Sequence, residues 1–420
     1  MKNLYGILAA GVLAMASCAM VMGCGNTINI DDNGKDNNPR VPLSLSPAQK
    51  EFVTEGNVFS MNFLDKVAAA ESKDFIISPL SMQFLLGMIL DGTEGQTAEE
   101  IATVLGYGKD EVDAVNDYCL AMFQQLPALD KKTKILIADA IYVDQGFDLK
   151  DKYKKTVAKY YDAVVSNLDF SDTQGSAAII NKWCSDHTEG LITHILDETS
   201  PDMLCYLLNA LYFKSSWAEK FNKERTVNEE FLMANGTPAQ VPMMKTYKEF
   251  RYGDGTSFRA VRLPYGNGAY SMTVLLPKDG KKLTDVTAEL KGSDWKAIEK
   301  KMYYSEVDLW LPRFQTQFGI NLNDILSDLG MPTAFNPVQA NFTPMSDDAL
   351  CLSFVRQDAV IKVDEEGTEA AAISSAGVNK TTSVGPSSYV VFHADKPFLY
   401  LITEADTGAV LFAGRFGNVK

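Results

Sequence analysis

The sequence is poor in the side chains that hydrolases and metalloenzymes use for catalysis. Its 420 residues include only three histidines, His187, His194 and His393. It contains no HExxH, nucleophile-elbow or Walker motif and no complete GxGxxG. His187 and His194 are seven residues apart, and we expect them to be structural residues rather than metal ligands. We therefore expect a protein that is not an enzyme and that has no metal site and no cofactor.

Cysteine pairs and positive charge are scarce as well. Beyond the N-terminal region four widely separated cysteines remain, Cys119, Cys184, Cys205 and Cys351. We expect isolated buried thiols, and the alternative is two disulfides in one of three pairings. The formal net charge is −15. Nucleic-acid binding is not expected, because neutralising a phosphate backbone takes clustered Lys and Arg.

The remaining composition is that of a globular chain, with 46% hydrophobic and 22% charged residues. Ser46-Pro47 and Ser78-Pro79 are typical helix starts, and Thr97 with Glu100 has the spacing of a capping box at a third helix. Apolar, β-rich runs bounded by turn residues come later, at 135–143, 204–213, 270–276, 307–311, 398–403 and 409–413. Helices in the first part of the chain and antiparallel strands in the later part predict an α+β fold with large sheets.

The N-terminus has the pattern of an export signal. A nearly unbroken apolar run from Leu4 to Val21 follows Lys2, and the run ends in Val21-Met22-Gly23-Cys24, which resembles the lipobox of bacterial lipoproteins. We expect residues 1–23 to be a lipoprotein signal peptide and Cys24 to be acylated, with Cys18 as the alternative lipidation site. A single membrane-spanning helix is the other interpretation of this run.

The segment after the signal, residues 24–43, is rich in Asn, Asp and Gly and predicts a flexible polar tether. The folded domain is then expected over residues 44–420. Such a protein would be exported and held by its lipid anchor in the bacterial cell envelope, at the outer membrane or the cell surface.

A second low-complexity segment lies near the C-terminus. A strand-like run, Val360 to Val363, leads into a stretch of some twenty residues almost free of large side chains, and apolar residues resume at Tyr389. Taken alone, this composition predicts a flexible linker or a short alanine-rich surface helix.

Short motifs from about Ala48 to Lys420 resemble the serpin family, in the family's order. They are Asn57 to Ser60, Phe75 to Ser81, Gly92 to Thr97, Ile180 to Trp183, Thr188 to Gly190, Leu208 to Lys214, Trp217, Val241 to Met244, Leu311 to Phe314, Asp395 to Phe398 and Leu411 to Arg415. The resemblance implies a serpin fold, which is an α+β domain with large mixed β-sheets and about nine helices. It also implies an exposed reactive-centre loop over about residues 367–388.

The function that the resemblance implies is suicide inhibition of serine proteases, with cysteine proteases as a second class. The protease would cleave the loop, form an acyl-enzyme with its own nucleophile, and be trapped when the cut loop inserts into the central sheet. The partners would be trypsin-like and also elastase-like enzymes, and the inhibitor would be a monomer. A non-inhibitory serpin that binds or stores a ligand is the alternative.

In the family pattern a hinge begins the loop. Its residues here are Glu365, Glu366, Gly367, Thr368, Glu369, Ala370, Ala371 and Ala372. The set expected to turn inward on insertion is Thr368, Ala370, Ala372 and Ser374. All four are small and uncharged, as insertion into a packed sheet requires.

The family's usual spacing from Glu365 ends at Thr381, and Lys380 is the only cation between Gly367 and Lys396. A trypsin-like specificity pocket needs that cation. We therefore expect cleavage at Lys380-Thr381. Thr381-Thr382 is the second choice, and Val378 would serve elastase-like enzymes.

The resemblance also implies a polar cluster at the point where the sheet opens, formed by Ser78, Ser81, Asn209 and Gln357, with Trp217 near the loop entry. Gln357 stands where the family usually has a histidine, and glutamine does not titrate. The resemblance therefore gives no support for a pH-dependent gate. The region that is basic in heparin-binding relatives is acidic here, over 110–117, so heparin binding is not expected.

Overall fold

The computed structural model describes residues 38–108, 110–368 and 389–418. Several predictions concern residues outside these ranges. They are the signal peptide, the lipidation cysteines Cys18 and Cys24, the hinge residues Glu369, Ala370, Ala371 and Ala372, and the reactive-bond residues Val378, Lys380, Thr381 and Thr382.

The described ranges contain nine α-helices. These are α1 (Pro47–Ala70), α2 (Pro79–Asp91), α3 (Gly95–Leu105), α4 (Val112–Gln125), α5 (Asp151–Tyr161), α6 (Thr173–His187), α7 (Leu283–Leu290), α8 (Trp295–Glu299) and α9 (Asn323–Leu329). Short 3-10 helices cover Leu126–Ala128, Lys223–Arg225 and Pro332–Phe335.

Fifteen strands accompany these helices in the same ranges. They are β1 (Phe75–Ile77), β2 (Lys134–Asp144), β3 (Val164–Leu168), β4 (Cys205–Ser216), β5 (Val227–Leu232), β6 (Pro238–Asp254), β7 (Phe258–Tyr265), β8 (Tyr270–Pro277), β9 (Tyr303–Pro312), β10 (Phe314–Asn321), β11 (Phe354–Val363), β12 (Gly367–Thr368), β13 (Val390–His393), β14 (Phe398–Glu404) and β15 (Val410–Phe416).

The strands form two mixed sheets. One has nine strands in the order β1-β15-β14-β8-β7-β6-β9-β13, with β5 added beside β6. The other has six strands in the order β10-β11-β12-β4-β2-β3. The prediction of an α+β fold with about nine helices and large mixed sheets is confirmed, and each of the six predicted β-rich runs overlaps a strand.

The first two predicted helix starts are correct, and the third is wrong by two residues. The Ser46 hydroxyl accepts a hydrogen bond from the Gln49 backbone, and the Gln49 side chain accepts one from the Ser46 backbone, which closes a capping box. Ser78 caps α2 in the same way without the return bond. Helix α3 begins at Gly95 rather than at Thr97. The Glu100 carboxylate is not free to close a box there, because it accepts hydrogen bonds from Thr333.

The packed part of the chain begins upstream of the predicted boundary at residue 44. Asn38 donates a hydrogen bond of 2.6 Å to Asp130, and Arg40 forms an ion pair with Asp406. The Leu43 side chain is buried, and its backbone donates to Asp406. The last six residues of the predicted tether, 38–43, therefore pack against the domain.

Helix α2 lies at the centre of the fold, and all but its last residue are buried. The thiols of Cys119, Cys184, Cys205 and Cys351 are free, and the first three are buried. Among the described residues, no helix is long and apolar enough to cross a membrane.

Candidate functional site

The six-stranded sheet is divided along its centre. The parallel strands β4 and β11 pair directly from Tyr206 with Phe354 to Leu211 with Ala359. Beyond Ala359 the two strands no longer pair with each other, and β12 lies between them. Direct main-chain pairing of β4 with β11 is therefore interrupted where β12 lies.

Strand β12 occupies the open end of this interruption. Thr368 pairs with Val363 of β11 on one side and with Ser215 of β4 on the other, antiparallel to both. The turn that brings it there is closed by a hydrogen bond of 2.9 Å from the Asp364 amide to the Gly367 carbonyl. The start of the predicted loop is thus a short central strand.

Gly367 is required at this turn for two reasons. Its φ of 153° lies in a region that other residues rarely adopt. A Cβ at this position would also lie 2.2 Å from the Ser215 carbonyl oxygen. No side chain larger than hydrogen fits between the hinge and β4.

The Thr368 side chain points into the core, and only 1% of the residue is exposed. Its hydroxyl shares a 2.5 Å hydrogen bond with the phenol of Tyr265. The Tyr265 ring stacks on Trp217 at 4.4 Å, and the Trp217 indole donates to the Asp364 carbonyl at 2.8 Å. Trp217, which the family pattern places near the loop entry, therefore holds the turn before the hinge.

Two glutamates at the start of the hinge, Glu365 and Glu366, bond to side chains elsewhere in the domain. The Glu365 carboxylate accepts hydrogen bonds from Arg313 at 2.6 Å and from Thr226 at 2.7 Å. Burial alone would raise the pKa of Glu365, but these bonds outweigh it and hold the pKa below its usual range. Glu366 forms ion pairs with two lysines, Lys220 at 2.6 Å and Lys223 at 2.9 Å, which lower the pKa of its carboxyl.

The four polar residues expected at the sheet opening lie together beneath the direct pairing of β4 and β11. Asn209 donates to Ser81 and accepts from the Gln357 amide at 2.7 Å. Gln357 accepts from the Ser78 backbone at 2.8 Å and donates to its carbonyl at 3.0 Å. All four are buried, so this network joins α2 to both strands that border the interruption.

Asp139 is a member of this network that the sequence reasoning missed. It lies on β2, is 3% exposed, and accepts a hydrogen bond of 2.6 Å from the Asn209 amide. Burial raises the pKa of Asp139 to about 7, although the bond from Asn209 acts in the opposite direction. The signal was visible, because Asp139 is the only charged residue in the apolar run 135–143.

The partners of the hinge glutamates were missed as well. Arg313, Lys220, Lys223 and Thr226 are distant in sequence from the hinge, and no local pattern indicates that they meet it. The signal in the sequence was only indirect. Two adjacent glutamates that are packed in a folded domain need cationic or hydroxyl partners, but nothing in the sequence indicates which residues these are.

The histidines do not assemble into a catalytic site. His187 is bonded to the Trp183 carbonyl, His194 to Asp197, and His393 to Asp308. Within the described ranges, no three histidine, cysteine or acidic side chains are grouped so as to bind a metal ion.

Comparison with known proteins gives a consistent result. A family model described as "Serpin (serine protease inhibitor)" matches residues 54–419. A serpin-like protein of Thermococcus kodakarensis is 32% identical over 89% of this chain and 87% of its own length. The thermophilic serpin tengpin in its native state superposes with a TM-score of 0.82 and 26% identity, over 91% of this chain and 97% of that one. Thyroxine-binding globulin in complex with thyroxine shares the fold, with a TM-score of 0.78 and 24% identity over 88% and 99% of the two chains.

Proposed function

This chain belongs to the serpin family, and from that premise we propose that it is an inhibitory serpin. It traps serine proteases, and cysteine proteases as a second class, by cleavage of its loop and insertion of the cut strand into the six-stranded sheet. The chain catalyses no reaction itself, because the nucleophile belongs to the protease.

The observation that supports this proposal most strongly is the position of Thr368. It already lies between β4 and β11, bonded to both, with a buried side chain that fits the core. Insertion of the following residues continues this strand along the same interruption and separates the directly paired segments of β4 and β11. A strand of about fifteen residues at about 3.3 Å each moves an attached protease by roughly 50 Å.

The polar network is suited to such separation. The hydrogen bond from Gln357 to Asn209 is exchangeable, whereas parting two apolar side chains would expose hydrocarbon to water. The uncut chain is then metastable, since it lacks the ladder bonds that a full-length central strand would add.

The test is a panel of trypsin, chymotrypsin, elastase and papain mixed with the purified protein. We expect at least one complex that survives denaturing gel electrophoresis, and we expect the loop-nicked protein to melt at a higher temperature than the uncut one. Cleavage without any complex, together with an unchanged melting temperature, would instead favour the non-inhibitory alternative. Turnover of a chromogenic ester by the protein alone would indicate an enzyme.

We place the reactive bond at Lys380-Thr381 on the strength of the lone lysine, one residue short of the family's usual spacing from Glu365. Trypsin treatment should release a C-terminal fragment that begins at Thr381, identifiable by its mass. Lys380→Ala should lose trypsin inhibition and keep inhibition of elastase through Val378. Trypsin inhibition that is unaltered in this variant would overturn the assignment to Lys380-Thr381.

We also propose that Cys24 carries a lipid anchor in a bacterial cell envelope, which the apolar run and the lipobox-like Val21 to Cys24 support. Expression of the full chain in a bacterium should give a membrane-associated product whose N-terminal peptide bears acyl chains. Cys24→Ala should abolish that modification. Retention of acylation in this variant and its loss in Cys18→Ala would assign the anchor to Cys18.

A further inference from the structure

One carboxyl group belongs to the polar network beneath the paired strands β4 and β11. Asp139 on β2 accepts a hydrogen bond of 2.6 Å from the Asn209 amide, and only 3% of the residue is exposed. The same amide also donates to Ser81, and its oxygen accepts from Gln357. Since the nitrogen and the oxygen of an amide have opposite roles, the bond to Asp139 fixes the orientation in which the Asn209 oxygen faces Gln357.

The network extends over the two parts of the sheet that insertion would separate. Asp139 and Asn209 are opposite each other on the neighbouring strands β2 and β4. Gln357 is opposite Asn209 on β11. A strand that enters between β4 and β11 therefore breaks the bond from Gln357 to Asn209 and leaves Asp139 on the side of β4. The separation also gives water access to a carboxyl that the closed sheet buries.

No cation compensates the charge of this carboxyl. Burial raises the pKa of Asp139 to about 7, the bond from Asn209 lowers it in part, and in the described part of the chain no lysine or arginine acts on it. Its partner on β4 is a neutral amide, and α2 contributes to the network the hydroxyl of Ser81. Strand β3 pairs with β2 from Ala140 onward, where it presents the apolar Val164. Helix α6 packs against the opposite face of β2.

Two further titratable groups face Asp139 from the helices, and neither ionises near neutral pH. Burial raises the pKa of the Cys119 thiol on α4, and the charges of Asp91 and Asp139 raise it further. Burial also raises the pKa of the Tyr161 phenol on α5, which bonds to Cys119. Asp91, at the end of α2, is bonded to Asn116 on α4. Within the polar network, Asp139 is thus the one side chain that changes its charge.

Opening of the sheet changes the affinity of Asp139 for its proton. Water that reaches the carboxyl stabilises the charged form, so the pKa falls from about 7 toward the ordinary value of 3.8. The open sheet then binds fewer protons than the closed one, and opening becomes more favourable as the pH rises through the pKa of the closed sheet. Each unit by which the pKa falls favours opening about tenfold. Ionised Asp139 also polarises Asn209, but this strengthens the bond from Gln357 by only about 10 to 30%.

We propose that Asp139 is a pH-dependent positioning residue for the opening of the six-stranded sheet. Protonated Asp139 keeps β4 and β11 together, and ionised Asp139 allows them to part, so the loop inserts faster at neutral than at acidic pH. This inference rests on the proposed inhibitory function. The titrating group lies on β2, whereas Gln357, at the position of the family's usual histidine, does not titrate.

The experiment measures sheet opening without a protease. A labelled synthetic peptide with the sequence of residues 368–380, blocked at both ends, is mixed in excess with the uncut protein, and its uptake is followed by gel filtration. The peptide has no group that titrates between about pH 5.5 and pH 8.5. Over this range the wild type should take up the peptide roughly tenfold faster as the pH rises. Asp139→Asn, which keeps the shape, and Asp139→Ser, which is smaller, should both show uptake that is independent of pH.

Asp91→Asn is the matched control. It also neutralises a buried carboxyl, whose pKa burial raises to about 6, but this carboxyl is bonded to Asn116 on α4. The control should keep the pH profile of the wild type. Wild-type dependence in Asp139→Asn would overturn the proposal, and so would equal flattening in Asp91→Asn or a wild type that takes up no peptide at any pH. Failure to trap any protease, in a protein whose peptide uptake follows the expected profile, is a separate result that removes the proposed function alone.

Discussion

The two sheets of this protein are built differently at their centres. In the nine-stranded sheet, β14 pairs with β8 on one side and β15 on the other, and every residue of β14 and β8 is buried. In the six-stranded sheet, direct pairing of β4 with β11 stops at Ala359, and the side chains beneath it include the polar pair Asn209 and Gln357. Continuous pairing over apolar side chains resists separation, whereas interrupted pairing over exchangeable hydrogen bonds permits it.

This difference indicates which of the two sheets is better suited to a change in its strand pairing. A central strand of the nine-stranded sheet cannot leave without exposing large apolar surface. In the proposed function, the six-stranded sheet instead takes up a new strand that continues from Thr368.

The largest effect is expected from Thr368→Arg. The side chain is buried between β4 and β11, and an unpaired guanidinium there costs several kcal/mol, which stops insertion. Proteases should still cut the loop, but covalent complexes should disappear on denaturing gels. Thr368→Ser, which keeps the hydroxyl bonded to Tyr265, is the control and should trap at a rate near that of the wild type. Complex formation by Thr368→Arg at the wild-type rate would contradict the insertion model.

Much of this fold was predictable because its signals are local. The starts of α1 and α2 are set by Ser46-Pro47 and Ser78-Pro79, and the central strands β8 and β14 of the nine-stranded sheet are mostly apolar runs. The polar cluster was predictable only through the family's motif order, since Ser78 and Gln357 are 279 residues apart. The start of α3 was misplaced because Glu100 bonds to Thr333, a tertiary contact that no local pattern indicates.

The second prediction concerns the nine-stranded sheet. Leu401→Ala, at a fully buried position of β14, should lower the free energy of unfolding by about 4 kcal/mol through lost burial and the remaining cavity. The loss should be equal in the uncut and the loop-nicked protein, because insertion does not alter this sheet. Denaturant unfolding of both forms measures it. Asn209→Ala is the comparison from the other sheet, and its effect should differ between the two forms. If Asn209→Ala destabilised the uncut and the loop-nicked protein equally, the two sheets would not differ in their response to insertion.

The third prediction is a pH dependence confined to the six-stranded sheet. The pKa of Asp139 is about 7 in the folded protein against 3.8 for a free side chain, because burial disfavours its charge. The folded state then binds more protons than the unfolded one, so stability falls as the pH rises, by about 3 kcal/mol from pH 4 to pH 7. Asp139→Asn should remove this part of the slope.

The control for Asp139 is the wild-type slope itself, which contains other buried acids. Burial also raises the pKa of Asp91, to about 6, and that of Glu404. These groups contribute equally to both proteins, so the difference between wild type and Asp139→Asn isolates Asp139. Parallel pH profiles of the two proteins, measured by urea unfolding, would show that this carboxyl does not titrate in that range.

The smallest effect is expected at the ion pair of Glu365 with Arg313. Glu365→Gln removes the charge of this side chain and keeps its shape. The carboxylate is buried, but its partner Arg313 is 45% exposed, so solvent screens the pair and the loss should be about 1 to 2 kcal/mol. The folded-state pKa of Glu365 lies below its ordinary value of 4.5. Its contribution is therefore present above that pH and is lost as the pH falls through the lowered pKa.

Two consequences follow for Glu365→Gln. The variant and the wild type should differ at pH 7 and converge in acid, which is opposite in sign to the change expected from Asp139→Asn. Because a loosened approach to the hinge favours entry of the loop between β4 and β11, uncut Glu365→Gln should also convert on warming to a form with a raised melting temperature faster than the wild type does. Glu366→Gln, which weakens the ion pairs of the neighbouring carboxylate with Lys220 and Lys223, is the comparison variant. Conversion at the wild-type rate in Glu365→Gln would mean that the ion pair with Arg313 does not restrain the hinge.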